Sequence, residues 1–152
     1  MDCEEALKIS GQENIESAVM YFISSGVPSF IITNGPENLY AFSEGGIFRK
    51  MNLESLPVSQ KVVSQLKSEP GIKGDTTGCG DNFTGGIIAS LAWQLKKWPG
   101  EQLDLAEAIS WGVASGGFAC FYVGGTYIEK NKGEKLKRIE ELQKEYLKQT
   151  GK

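Results

Sequence analysis

The stretch Gly74-Asp75-Thr76-Thr77-Gly78-Cys79-Gly80-Asp81-Asn82-Phe83-Thr84-Gly85-Gly86 is polar and glycine-rich, and it runs straight into the apolar Ile87-Ile88-Ala89-Ser90-Leu91-Ala92-Trp93. A junction of this kind reads as a loop feeding a buried helix. Gly78 and Gly80 lack a Cβ, so the backbone there reaches angles, and lets a ligand come to distances, that bulkier residues block. A helix beginning near Gly80 leaves its first amide N–H groups unpaired and aimed along its axis. Those donors and the helix dipole favour a bound anion, by about 0.3–1 kcal/mol for an exposed charge and up to ~2 kcal/mol when partly buried. Asp81 sits on the same turn, where a second negative charge is unwelcome beside a phosphate. A carboxylate next to an anion hole suits a general base for phosphoryl transfer: it takes the proton of an attacking hydroxyl while the amides hold the developing charge. The same residues also allow a plainer reading, with Asp81 as a helix N-cap and the glycines as a tight turn.

Asp75-Thr76-Thr77-Gly78-Cys79-Gly80-Asp81 resembles the D-T-x-G-A-G-D signature of the ribokinase-like (PfkB) carbohydrate kinases, with Cys79 in place of the usual alanine. The aromatic-Gly-Gly helix start that follows the signature is also present, as Phe83-Thr84-Gly85-Gly86. The resemblance implies an α/β, three-layer ribokinase-like fold, of which this chain is the C-terminal portion: a mostly parallel sheet flanked by helices. It implies that the backbone of Gly78, Cys79 and Gly80 forms the anion hole and that Asp81 is the catalytic base. ATP and Mg²⁺ are the implied cofactors, and a sugar or related small molecule the acceptor. Family members run to about twice this length, roughly 300 residues. The chain is therefore expected to be one domain, residues 1–152, whose substrate and lid half lies elsewhere.

Bulk properties narrow the alternatives. A net charge of −3 argues against a nucleic-acid partner, and no apolar run approaches the ~20 residues of a membrane span. The N-terminus lacks the basic-then-apolar start of a secretory leader. Cys3, Cys79 and Cys120 are odd in number and far apart in sequence, so neither a zinc site nor a disulfide framework is expected, and a cytoplasmic location fits. The absence of histidine removes Ser-His and Cys-His catalysis and histidine-ligated metals, leaving proton transfer to carboxylates or other groups. There is no G-x-x-x-x-G-K-[ST] loop, and Gly78-x-Gly80 lacks the third glycine of a dinucleotide fingerprint.

Along the chain, residues 2–25 read as helical, broken at Ser10-Gly11 and ended by Gly26. Asp2-x-x-Glu5 resembles the family's N-x-x-E, tied to magnesium and phosphate; Glu4 and Glu5 are equally first-turn charges facing a helix dipole. Phe30-Ile31-Ile32-Thr33 suits a buried parallel strand. Leu39-Tyr40-Ala41-Phe42 and Ile47-Phe48-Arg49 suit a hairpin around Glu44-Gly45-Gly46. Thr33-x-Gly35 resembles the family's T-x-G-x-x-G loop along the nucleotide, with Asn38, a residue that tolerates the left-handed region, in the second glycine's place; a simple tight turn is the other reading. Pro57-Val58 reads as an edge strand, Gln60 to Lys67 as a helical turn or two, and Ser64 to Gly74 as an inserted surface segment bounded by Pro70-Gly71.

The helix from about Gly80 to Trp98 is expected to bury Ile87, Ile88, Leu91, Ala92 and Leu95 and to stop at Pro99-Gly100. A second helix, roughly Asp104 to Val123, is small and apolar almost all round, hence buried. Its Gly116-Gly117 demands a close neighbour. In the family this helix borders the adenine pocket, which makes Val113, Gly116 and Gly117 nucleotide candidates; helix–helix contact explains them as well. The resemblance further implies a monovalent cation (K⁺) held by the Asp75 carboxylate and the carbonyls of Thr77, Ala119 and Gly124, against the reading that Asp75 merely caps backbone amides. Leu136, Ile139, Leu142, Tyr146 and Leu147 form the stripe of a final surface helix.

The resulting expectation is an ATP-dependent phosphotransferase acting on a hydroxyl, incomplete as this chain alone. The rivals are a non-catalytic nucleotide-binding subunit and a remnant that binds nothing. Exposure of faces normally covered by the other half predicts a homo-oligomer or a complementary N-terminal partner.

Overall fold

Asp2 begins the first helix by accepting the Glu5 N–H at 2.8 Å, and the Glu5 carboxylate reaches back to the Asp2 N–H at 2.9 Å. This reciprocal capping box fixes α1, Cys3–Ser10, which ends at Gly11 in the left-handed region (φ 67°). Asn14 caps α2, Ile15–Ser24, through the Ser17 N–H. The break at Ser10-Gly11 therefore falls where the sequence puts it. In the computed structural model, which describes residues 1–68 and 74–151, the chain gathers into two compact units, Met1–Val58 and Ser59–Lys152.

The first unit packs α1 and α2 on a sheet of β1 (Ser29–Asn34), β2 (Asn38–Ser43) and β3 (Met51–Pro57), ordered β1-β2-β3. Ala6, Val19, Phe22, Phe30 and Ile32 form its core. The rings of Phe22 and Phe42 flank Phe30, at 6.0 and 5.6 Å between centroids. Two expectations are corrected here. Both strand pairings are antiparallel, with Phe30 opposite Phe42 and Leu39 opposite Leu56, so β1 is not a buried parallel strand. Strands joined by such short connections can only pair in the antiparallel sense. An isolated bridge of Asp2 to Thr33 is parallel. The second correction concerns the hairpin partner of β2, which is β3 from Met51 rather than Ile47-Phe48-Arg49. Gly45 and Gly46, in the connection between them, both take positive φ.

The second unit is helical: α3 (Gln60–Ser68), α4 (Cys79–Lys97), α5 (Leu105–Ala119), a short 3₁₀ turn (Val123–Gly125) and α6 (Glu134–Thr150). Of the segment read as an insertion, residues 69–73 lie outside the described residues. Asp104 caps α5 through the Glu107 N–H, and α5 is buried on nearly every side, as its composition predicts. Val62, Ala114, Phe118, Ile139 and Leu142 make the core between α3, α5 and α6. On α6 the expected stripe is buried at Ile139, Leu142 and Tyr146, while Leu136 is exposed.

The orientation of α4 departs from expectation. Its buried positions are Gly86, Ser90 and Gln94, spaced one helical turn apart, whereas Ile88 and Leu95 are 61% and 55% exposed and Ala92 is exposed. The reason is a very close crossing with α5. A Cβ added at Gly86 would lie 2.6 Å from the Trp111 carbonyl oxygen and 2.9 Å from the Ser115 Cβ. Only a small residue fits that contact, so the stripe of Gly86, Ser90 and Gln94 takes the interface and Ile88 and Leu95 turn outward, while Ile87 packs against α5 at Gly112. Gln94 completes the stripe by donating to the Asp104 carbonyl (3.0 Å) and accepting the Asp104 N–H (2.6 Å).

Candidate active site

Gly78 is the N-cap of α4, at φ 75° and ψ 1°, a conformation that favours glycine. Asn82 N–H donates to the Gly78 carbonyl at 2.9 Å, and the Asn82 side chain donates to the same oxygen and to the Gly125 carbonyl at 3.2 Å. The loop is thus tied to the 3₁₀ turn, backbone against backbone: a Cβ at Gly125 would stand 2.7 Å from the Thr77 carbonyl oxygen. Lys135, at the start of α6, donates to the Asn82 Oδ1 at 3.3 Å.

Among the described residues, the amides of Gly78, Gly80 and Asp81 have no hydrogen-bond acceptor, while the Cys79 amide donates to the Thr76 carbonyl at 3.2 Å. The loop is not extended; it leaves three free donors at the N-terminal end of α4. Asp81 is the third residue of the helix, exposed, and its carboxylate accepts no hydrogen bond from a described residue. It is therefore not the N-cap. That place belongs to Gly78, which has no side chain to offer.

Asp75 is engaged. Its Oδ1 accepts the N–H of Thr77 at 3.0 Å and of Gly124 at 3.1 Å, the amide-capping alternative for this residue. The Ala119 carbonyl accepts the Tyr122 N–H, and the Gly124 carbonyl accepts the Thr126 hydroxyl. Among the described residues no three Cys, Asp or Glu gather as metal ligands. Val113 is buried in α5. A Cβ at Gly116 would meet the Cys79 carbonyl oxygen at 3.0 Å, and one at Gly117 the Val62 Cγ2 at 2.8 Å, so both glycines serve helix contacts.

In the first unit, Thr33 N–H donates to the Met1 carbonyl at 3.1 Å and Gly35 opens the β1–β2 turn at φ 53°. Asp2, Glu5 and Thr33 come together there, with both carboxylates engaged in the α1 cap. Asn38 does not use the left-handed region; its side chain accepts from Asn34 and donates to Ser55.

Sequence reasoning missed three features of the second unit. A cavity of about 660 Å³ opens beside Asp81 and Asn82, walled by Trp93, Trp111, Lys135 and Ile139. Asn82 stands next to Asp81 in sequence, yet its link to Gly125 and Lys135 needs the fold. Cys79 and Cys120, 41 residues apart, place their sulfurs 3.0 Å from each other. Burial, then the Cys120 sulfur and the nearby Asp75 charge, push the Cys79 thiol up to about 12.

Solved kinase structures share this fold. Aminoimidazole riboside kinase from Salmonella enterica, complexed with aminoimidazole riboside and an ATP analogue, is similar at a TM-score of 0.59 and 23% identity, over 91% of this chain and 40% of that one. Fructokinase from Vibrio cholerae O395, bound to fructose, ADP and a calcium ion, is similar at 0.53 and 18% identity, over 80% of this chain and 36% of that one. The chain thus has an α/β fold of the ribokinase-like kind and spans well under half the length of these kinases. The pfkB family carbohydrate kinase model matches residues 2–132, and the chain belongs to that family. No curated protein sequence matches it. Among the described residues, no helix is long and apolar enough to cross a membrane.

Proposed function

We propose that residues 1–152 form a single-domain, C-terminal nucleotide-binding half of an ATP-dependent phosphotransferase acting on a hydroxyl of a sugar or related small molecule. The observation that carries this reading is the unpartnered, exposed Asp81 carboxylate beside the free amides of Gly78, Gly80 and Asp81. Asp81 takes the proton of the acceptor hydroxyl. The resulting oxygen attacks the γ-phosphorus of ATP, and the bond to the β-phosphate oxygen breaks to release ADP. The amides hold the charge of the transferred group. Lys135, which lines the same cavity as Asp81, adds a positive charge.

Mg²⁺ would enter with the nucleotide, since this ion is held by phosphates and one or two carboxylates rather than by an all-protein cage. The set of Asp75 and the Thr77, Ala119 and Gly124 carbonyls is oxygen-only with one carboxylate, a hard-donor set for a hard cation such as K⁺. The second oxygen of Asp75 and the remaining lone pairs of those carbonyls would hold it, and the cation would help order the loop. Glu5 is assigned to the α1 cap, and Thr33 and Gly35 to the β1–β2 turn of the first unit. Val113, Gly116 and Gly117 are assigned to packing instead.

A second reading has the chain bind nucleotide without turnover until a complementary half joins it. Its support is the 36–40% coverage of the two kinases. The outward apolar side of α4, with Ile88, Trp93 and Leu95 at least half exposed, also favours self-association or such a partner. Thermal denaturation with and without Mg·ATP tests both readings: a raised midpoint is expected, and no shift overturns them. A coupled assay over sugars and nucleosides, run on the chain alone and with the complementary half supplied, then separates them: turnover only with that half supports the second reading, and turnover by the chain alone overturns it.

A further inference from the structure

We propose that Cys79 and Cys120 form a reversible intramolecular disulfide at the foot of the anion-hole loop, and that its formation shuts the phosphate seat. The second clause rests on the kinase reading; the first does not. Cys79 opens α4 and Cys120 is the C-cap of α5, so one bond would join the ends of the two most closely packed helices. Their sulfurs are 3.0 Å apart, inside ordinary sulfur–sulfur contact, and about 1 Å of approach reaches bonding distance. Each sulfur also faces a carbonyl one turn back: Cys79 that of Asp75 at 3.7 Å, Cys120 that of Gly116 at 3.5 Å. The missing side chain at Gly116 is what lets the backbone of Cys79 come so near. Both cysteines are half-buried rather than sealed, so a small oxidant reaches them.

The oxidant is a low-molecular-weight disulfide such as oxidised glutathione. Cys120, at the end of α5, attacks first: its sulfur gives up its proton and bonds to one oxidant sulfur, the oxidant S–S bond breaks, and one glutathione thiolate leaves. The Cys79 thiolate then attacks the Cys120 sulfur, and the second glutathione leaves. The two protein thiols have lost two protons and two electrons, and the oxidant has become two thiols. Drawing the Cys79 sulfur toward Cys120 rotates the first turn of α4, which carries the free amides of Gly80 and Asp81. The donors then no longer converge on one phosphate.

The test takes the full chain, reduced, and exposes it to oxidised glutathione. A peptide map without reductant should give one cross-linked species joining Cys79 to Cys120, two hydrogens lighter than the separate peptides, with Cys3 outside it. Dithiothreitol should reverse it, and Cys120→Ala should abolish it. The Mg·ATP-induced rise in melting temperature should be present in reduced protein, lost on oxidation, and retained by oxidised Cys120→Ala. Separate glutathione adducts on the two cysteines, or links to Cys3, overturn the disulfide. A cross-link that leaves the Mg·ATP response intact overturns the shutting of the seat. Reduced protein that ignores Mg·ATP overturns the kinase reading and the seat together, while the peptide map still decides the disulfide.

Discussion

Helices α1 and α4 both carry a carboxylate at their third residue, and the two groups have opposite fates. In α1 the N-cap is Asp2, in extended backbone, and Glu5 reaches back to its amide while Asp2 accepts the amide of Glu5. The box is closed, and each group's hydrogen-bonding capacity serves the helix. In α4 the N-cap is Gly78 in the left-handed region, with no side chain to cap and a backbone turned away from the geometry a capping box needs. Asp81 and the amides beside it are left open. The same position on a helix is therefore structural or reactive according to the backbone one turn earlier.

Substitutions can break or sharpen that contrast. The largest effect is expected of Asp81→Asn, which should slow ATP-to-acceptor transfer by about 10²–10⁴-fold, assayed with the complementary half, and leave the melting temperature of the chain alone nearly unchanged. Retained transfer would make Asp81 as structural as Glu5. Next comes Gly86→Ala, whose Cβ would run into the Trp111 carbonyl, a backbone atom that cannot swing aside. A loss of about 1–3 kcal/mol in urea denaturation is expected. Gly78→Ala should cost about 1–2 kcal/mol through its left-handed φ and weaken the Mg·ATP shift as well, which an ordinary cap would not do. The smallest effect is expected of Asp2→Ala, about 1 kcal/mol of stability from the lost cap, with the Mg·ATP shift of the remaining fold intact.

Much of the local architecture is legible along the chain. Ser10-Gly11, Gly26 and Pro99-Gly100 mark helix ends because proline lacks the N–H a helix needs and these glycines take the left-handed turn that ends one, and the small apolar run of α5 is buried because no polar face is available to meet water. The glycine-aspartate string locates the candidate site for a related reason: its residue types matter through backbone freedom and charge, which are local properties. The sense of strand pairing was not legible, since the apolar run of β1 suits a buried parallel strand as well as an antiparallel one. Nor was β3: Met51-Asn52-Leu53-Glu54 alternates apolar and polar, but Ser55 breaks the alternation and Leu53 is exposed in the fold. The facing of α4 misled for a different reason. Hydrophobicity points Ile88 and Leu95 inward, but the smallest side chains give the closest helix crossing, and dense packing at Gly86 decided the orientation.

The sequence by itself determined where the chain bends, which helices form, and which carboxylate stands at the head of a glycine-rich turn, because these follow from backbone preferences over a few residues. Only the tertiary structure decided that Asp75 would bind the amide of Gly124, that Asn82 would join Gly78 to Gly125, and that Cys79 would meet Cys120. Those partners lie more than 40 residues apart, and what brings them together is the packing of α4, α5 and the turn after it, a property of the whole unit rather than of any short stretch.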